Sequence, residues 1–137
     1  MNKEIKFRGQ RIDNNEWIYG YYVKDPRGGN RIYCKPFDDS TMGTYYFVKP
    51  ETVCQLLCEK NGVEIYTGDI LRGKQTFENS TEYPLVYVEW NDEQLCYELK
   101  KINTYLNPPL HWISQYDKVG NIFDNPELYV ADNIKSI

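Results

Sequence analysis

The run Trp17-Ile18-Tyr19-Gly20-Tyr21-Tyr22-Val23 decides the fold class. Rings and branched side chains stand at both parities, the pattern of a central strand covered on both faces. Before it, Glu4 to Arg8 alternates polar and apolar residues and Asp13-Asn14-Asn15 supplies turn chemistry, so strand, turn and strand form a hairpin. Pro26 to Asn30, with Gly28-Gly29, is the next turn, and Ile32 to Lys35 and Thr44 to Val48 read as short strands around a polar loop from Asp38 to Gly43. The whole chain shares this bias: its 137 residues include 13 Tyr, 5 Phe and 3 Trp but a single alanine, Ala131. That inventory is poor for a helical bundle and good for sheets. With 41% hydrophobic and 26% charged residues, the composition is neither disordered, collagen-like nor membrane-spanning.

Lys49-Pro50-Glu51-Thr52 suits a single helical turn, yet Thr52 to Leu57 is also strand material, and we expect a strand. Asn61-Gly62 is a strong turn signal between Thr52 to Cys58 and Val63 to Tyr66, and Gly68-Asp69 punctuates again before Ile70-Leu71. Gly73 to Glu82 is a polar loop. Pro84 to Trp90 then places Val86, Val88 and Trp90 on one face of a strand and Leu85 and Tyr87 on the other. Residues 91–106 read two ways. Leu95, Leu99, Ile102 and Leu106 fit helical spacing with Asn91 and Gln94 as a capping box, whereas strand parity groups Leu95, Tyr97 and Leu99 after an Asn91-Asp92 turn; we take the strand. Tyr116 to Phe123 is the last strand, closed by Asp124-Asn125-Pro126.

Short strands every eight to twelve residues predict a mainly β chain: a small SH3-like barrel or roll with additional N-terminal strands and at most short helical turns. The expected organisation is one domain, 1–137, with an N-terminal sheet subregion 1–49 packed on an SH3-like roll 50–130. The net charge of -4 predicts solubility and no particular partner, and it argues against coating nucleic acid through bulk charge. Residues 1–69 carry ten basic and ten acidic side chains and residues 70–137 six and ten, so the excess negative charge lies in the second half. Met1 to Phe7, charged at Lys3, Glu4 and Lys6, lacks the apolar core of a signal peptide, and no stretch has the length of a membrane span. A cytoplasmic chain with Cys34, Cys54, Cys58 and Cys96 reduced is therefore expected, with the Asn79-Ser80-Thr81 sequon unused.

Three separated motifs occur in order: Lys6-Phe7-Arg8-Gly9 leading to Glu16-Trp17-Ile18-Tyr19-Gly20; Asn61-Gly62-Val63-Glu64-Ile65-Tyr66-Thr67-Gly68-Asp69-Ile70; and Gly120-Asn121-Ile122-Phe123-Asp124-Asn125-Pro126-Glu127-Leu128. In these the chain resembles the YopX family, over nearly its whole length. The resemblance implies an accessory protein of phage or prophage origin, similar in fold to SH3-type β-rolls. It brings no catalytic residue to carry over.

No catalytic, cofactor or metal constellation stands out in the residues themselves. Cys54 and Cys58 lack zinc-knuckle spacing, and four residues along a strand span ~13 Å, too far for a disulfide. The four cysteines read as small core hydrophobes. The single histidine, His111, cannot build a multi-histidine site and reads as packed or on the surface. Carboxylates near turns, Glu64, Asp69, Asp92, Glu93 and Asp117, would make a small hydrolase only within a cleft that raises one pKa, and Asp69 after Gly68 reads better as a turn cap. The best lead is the mixture of Lys6, Phe7, Arg8, Arg11 and Trp17, charge with flat rings, as in barrels that hold single-stranded nucleic acid. Strand parity separates Phe7 from Lys6 and Arg8, so a solvated basic edge over an aromatic core is the competing interpretation. With rings in surplus over what a small core buries, the leading expectation is a non-enzymatic module that binds a protein partner or another copy of itself, without a cofactor or membrane. Single-stranded nucleic acid is the alternative.

Overall fold

The computed structural model describes residues 6–35, 43–74, 83–103 and 108–129. The sequon, Met1 to Ile5, most of the loops read at Asp38 to Gly43 and Gly73 to Glu82, and Ala131 lie outside the described residues. The chain divides into two compact units, Met1–Cys58 and Glu59–Ile137.

Unit 1 is built on strands β1 (Phe7–Gln10), β2 (Trp17–Lys24), β3 (Asn30–Lys35) and β4 (Thr44–Phe47), followed by a 3-10 turn at Pro50–Thr52 and by β5 (Cys54–Lys60), which runs across the division. Both readings of 49–57 are thus realised in succession: proline opens the turn, and the strand begins at Cys54 rather than Thr52. All pairings are antiparallel, in the order β4-β3-β2-β1-β5. Strand β2 changes partner midway. Its first half, Trp17 to Gly20, pairs with β1, and its second half, Tyr21 to Lys24, pairs with β3. Gly20 sits at the hand-over because a Cβ there would lie 2.0 Å from the Tyr33 carbonyl oxygen. At the far end an isolated bridge joins Arg11 to Val48, and Lys49 N–H donates to Gln10 O at 2.9 Å. This curls the sheet around Ile32 and Val48, both fully buried, with Gly9 pressed against the two.

Unit 2 contains β6 (Val63–Tyr66), β7 (Asp69–Gly73), β8 (Leu85–Asn91), β9 (Cys96–Lys101), a 3-10 turn at Leu110–Gln115 and β10 (Tyr116–Asn121), then a helical turn at 126–129. Its antiparallel sheet has the order β10-β7-β8-β9. Asn61 and Gly62 both take positive φ, 51° and 81°, as a two-residue hairpin turn requires. Residues 91–101 are a hairpin: Asn91 Oδ1 accepts the N–H groups of Glu93 and Gln94 at 2.9 and 3.0 Å, so the residue that would have capped a helix caps a turn. The last strand stops at Asn121, two residues before Phe123, because Asn121 Oδ1 accepts the N–H groups of Phe123 and Asp124 and bends the chain. The core of this unit comprises Ile65, Tyr66, Ile70, Leu71, Val86, Val88, Leu99, Ile102 and Tyr116.

The mainly β class is as expected, with short helical pieces alone besides the strands. Four expectations are corrected. The barrel is not closed: both sheets are open, and in unit 1 the Arg11–Val48 contact stays an isolated bridge rather than a ladder. Strand β2 is central but covered on one face only. Of the cysteines only Cys54 is in the core; Cys58 is half-buried, while Cys34 and Cys96 are exposed, and none is in a disulfide. Trp90, placed with Val86 and Val88 by parity, is exposed near the hairpin tip. Among the described residues no helix is long and apolar enough to cross a membrane.

Candidate interaction face

The five residues singled out in the sequence all lie in unit 1, but they do not form one basic surface. Arg8 is only 2% exposed, and its guanidinium lies 4.7 Å from the centre of the Trp17 ring. The cation is thereby stacked on the partner proposed for it, a desolvated cation–π contact rather than a solvated edge. Lys6 reaches over Tyr19, at 5.7 Å. Phe7 points to the other side, against Tyr22, with ring centres 5.6 Å apart. Arg11 forms a two-pronged pair with Asp13, at 2.9 and 2.6 Å, and stacks 4.0 Å from the Tyr46 ring. The hydrogen bond from Arg11 holds the Asp13 carboxyl below its ordinary range.

Register assembles a different surface. Opposed residues of antiparallel strands share a face, so Tyr21, Tyr33 and Tyr45 form one row, and Val23, Arg31 and Phe47 the next. Trp17 and Tyr19, four and two residues before Tyr21, continue the same side of β2. Tyr19, Tyr21, Val23, Tyr45 and Phe47 each leave 39–59% of their surface exposed. Tyr33 and Tyr45 rings meet at 5.1 Å, and Tyr45 meets Phe47 edge-on at 5.7 Å, which is the geometry aromatic quadrupoles favour. Arg31 lies 5.2 Å from Tyr45 and 5.9 Å from Tyr33, and its Nη2 is 3.5 Å from Asp25 Oδ2. The opposite side of these strands carries Ile32 and faces the core.

The carboxylates named as hydrolase candidates are dispersed differently. Asp69 is fully buried; its Oδ2 accepts Tyr66 N–H at 2.7 Å and lies 3.2 Å from Lys118 Nζ. It therefore caps the β6–β7 turn. Tyr66 Oη donates to Glu64 Oε1 at 3.1 Å and Lys118 Nζ donates to Glu64 O, so Glu64, Asp69, Tyr66 and Lys118 make one tie across unit 2. Asp117 is exposed, 3.8 Å from Lys60 Nζ and 4.0 Å from Lys74 Nζ. His111 is exposed in the second 3-10 turn. A further titratable cluster joins Tyr87, packed edge-on against Tyr129 at 5.1 Å, with Glu89 and Lys100, whose Nζ is 3.0 Å from Glu89 Oε2. Burial, then the Tyr129 hydrogen bond, pushes the Tyr87 hydroxyl well above its usual range, and the Glu89 hydrogen bond raises Lys100. Among the described residues no three His, Cys, Asp or Glu side chains converge as a metal site would require.

Sequence reasoning missed Tyr19, Tyr21, Arg31, Tyr45 and Phe47 as surface residues. The signal was available as a period of two, Trp17-x-Tyr19-x-Tyr21-x-Val23 and Tyr45-x-Phe47, but with aromatics at both parities it could not say which side faced solvent.

A family model described as YopX protein matches residues 6–129. No curated protein matches the chain. Among solved structures, the crystal structure of protein EF1440 from Enterococcus faecalis is similar with a TM-score of 0.61 at 21% identity, over 93% of this chain and 99% of that one. At that identity the likeness shows the fold alone. The three motifs now have structural explanations. The hairpin pairing Phe7 with Gly20, the Asn61-Gly62 turn with its Asp69 cap, and the Asn121 turn against which Gly120 packs are the joints of the two sheets. With the family match covering most of its residues and these joints in place, the chain belongs to the YopX family.

Proposed function

We propose that the chain is a non-enzymatic binding module, an accessory protein of phage or prophage origin, whose ring face on β2, β3 and β4 receives an uncharged protein surface. The observation that carries this reading is the row of five large apolar side chains left half-open to solvent on one side of one sheet. Contiguous apolar surface of that kind is costly to leave wet, and Tyr, Trp and Arg are the usual anchors of protein interfaces. The cations near it are already engaged, Arg31 with Asp25 and Arg8 over Trp17. Single-stranded nucleic acid has the rings in its favour but needs cations available to phosphate as well.

The test compares immobilised wild-type chain with a Tyr21→Ser variant in the same cell lysate. The expected result is a protein retained by wild type and reduced about tenfold by the variant, the loss of roughly 1.4 kcal/mol of one interface anchor. Identical retention profiles, from a lysate in which the chain itself is also expressed, would overturn the proposal. In parallel, filter binding with random single-stranded oligonucleotides at low salt is expected to show no retention. Salt-sensitive retention lost with Tyr21 would transfer the face to nucleic acid.

A further inference from the structure

Resting on that reading, we infer that the protein seated on the ring face is a second copy of this chain, the two faces closing on each other about a two-fold axis. Three observations point to this occupant.

The first is charge. A face placed against itself meets its own charges, so it must be close to neutral. Here Arg31 is held by Asp25 and lies among the rings of Tyr33 and Tyr45, and Arg8 is buried over Trp17. Lys6 lies over Tyr19 on a long stem that can carry its ammonium to the rim. A charged partner would find no complementary set of groups on this face, whereas its own copy needs none.

The second is area. Large aromatic side chains bury roughly 150–250 Å² each when fully covered, so Tyr19, Tyr21, Tyr45 and Phe47, at 41–59% exposure, offer on the order of 100 Å² apiece, and Val23 adds a smaller share. Two copies would cover about 900 Å² from these residues alone, close to the roughly 1,000 Å² that a specific interface must clear. Trp17 and Tyr33, half-buried beside them, extend it.

The third is shape. The face is the pleated surface of antiparallel strands, and two such surfaces pack as the layers of a sandwich, about 10 Å apart, with side chains interdigitating. Tyr45 and Phe47 already stand edge-on to each other, leaving ring faces and edges to meet those of the other copy.

Sedimentation velocity or light scattering across a concentration series of the purified full chain tests this. Wild type should pass from monomer to dimer as concentration rises. Tyr21→Arg, which sets two like charges near the axis, should raise the dimer dissociation constant at least a hundredfold, and Phe47→Ser at least tenfold. Both should leave the circular dichroism spectrum unchanged, since both sites are exposed. Leu95→Asn, on the β8–β9 hairpin tip, should leave dimerisation unaltered. A wild-type chain that stays monomeric at the highest concentration overturns the inference, as does a dimer indifferent to both Tyr21→Arg and Phe47→Ser. In either case the proposed function still stands if lysate capture of another protein depends on Tyr21. If capture is also indifferent to Tyr21, both fall.

Discussion

Of the hydrophobic side chains buried among the described residues, Ile32, Val48, Cys54 and Leu56 belong to unit 1, while Ile65, Tyr66, Ile70, Leu71, Val86, Val88, Leu99, Ile102 and Tyr116 belong to unit 2. Exposed rings are distributed the other way. Unit 1 presents Tyr19, Tyr21, Tyr45 and Phe47 on one face, whereas Tyr83, Trp90 and Trp112 of unit 2 come from the segment before β8, from β8 and from the second 3-10 turn. In one chain, then, unit 2 fills an interior with aliphatic side chains and two tyrosines, and unit 1 presents four rings on a surface. A small sheet with only a few buried aliphatic residues is marginal alone, so the unit that holds the candidate face is the one with least packing to spare.

The sharpest way to break this comparison is Gly20→Val. The new side chain would meet backbone, the Tyr33 carbonyl, which cannot rotate away. We expect a loss of more than about 4 kcal/mol in urea unfolding, visible as little folded protein at all. Ile70→Ala, in the centre of unit 2, should cost about 3 kcal/mol, the ordinary result of opening a cavity at a fully buried site. Tyr21→Ser should cost no more than about 0.5 kcal/mol. If the Ile70 and Tyr21 substitutions proved equally damaging, the contrast between a packed interior and a spare surface would be wrong.

A smaller change should be favourable. Leu95 is the last residue of the β8–β9 loop and has φ 55° while 73% exposed, so an apolar branched side chain occupies a left-handed position that suits Asn or Gly. Leu95→Asn should stabilise the chain by roughly 0.5–1 kcal/mol, read as a rise in melting temperature, and reduce the exposed apolar surface of the tip. The smallest effect concerns pH. Asp13 has its pKa lowered from 3.8 by the Arg11 hydrogen bond, so its contribution is complete above that value and is lost as pH falls through the lowered one. An NMR titration should place the Asp13 midpoint below 3.8 and move it upward in Arg11→Gln.

Much of the architecture was legible in the sequence because its markers act locally. Asn61-Gly62 readily takes the positive φ of a tight turn, the Asn91 side-chain oxygen reaches the amides just after it, and the parity of Val86, Val88 and Leu99 suits a pleated surface. The candidate site was only half legible. Trp17 and the charged residues around it were visible as a group, but whether Arg8 is solvated or stacked depends on residues paired across strands, and spacing along the chain carries no such information.

What the sequence by itself determined is the class of structure and the positions of its joints, since propensity and turn chemistry are properties of a few neighbouring residues. Only the tertiary structure decided which side of β2 is wet, that Cys34 and Cys96 lie outside the core, and that the sheets curl without closing. Those outcomes follow from strand register, of β2 with β3 and β3 with β4 in unit 1 and of β8 with β9 in unit 2, which is set by the summed burial of residues far apart in the chain.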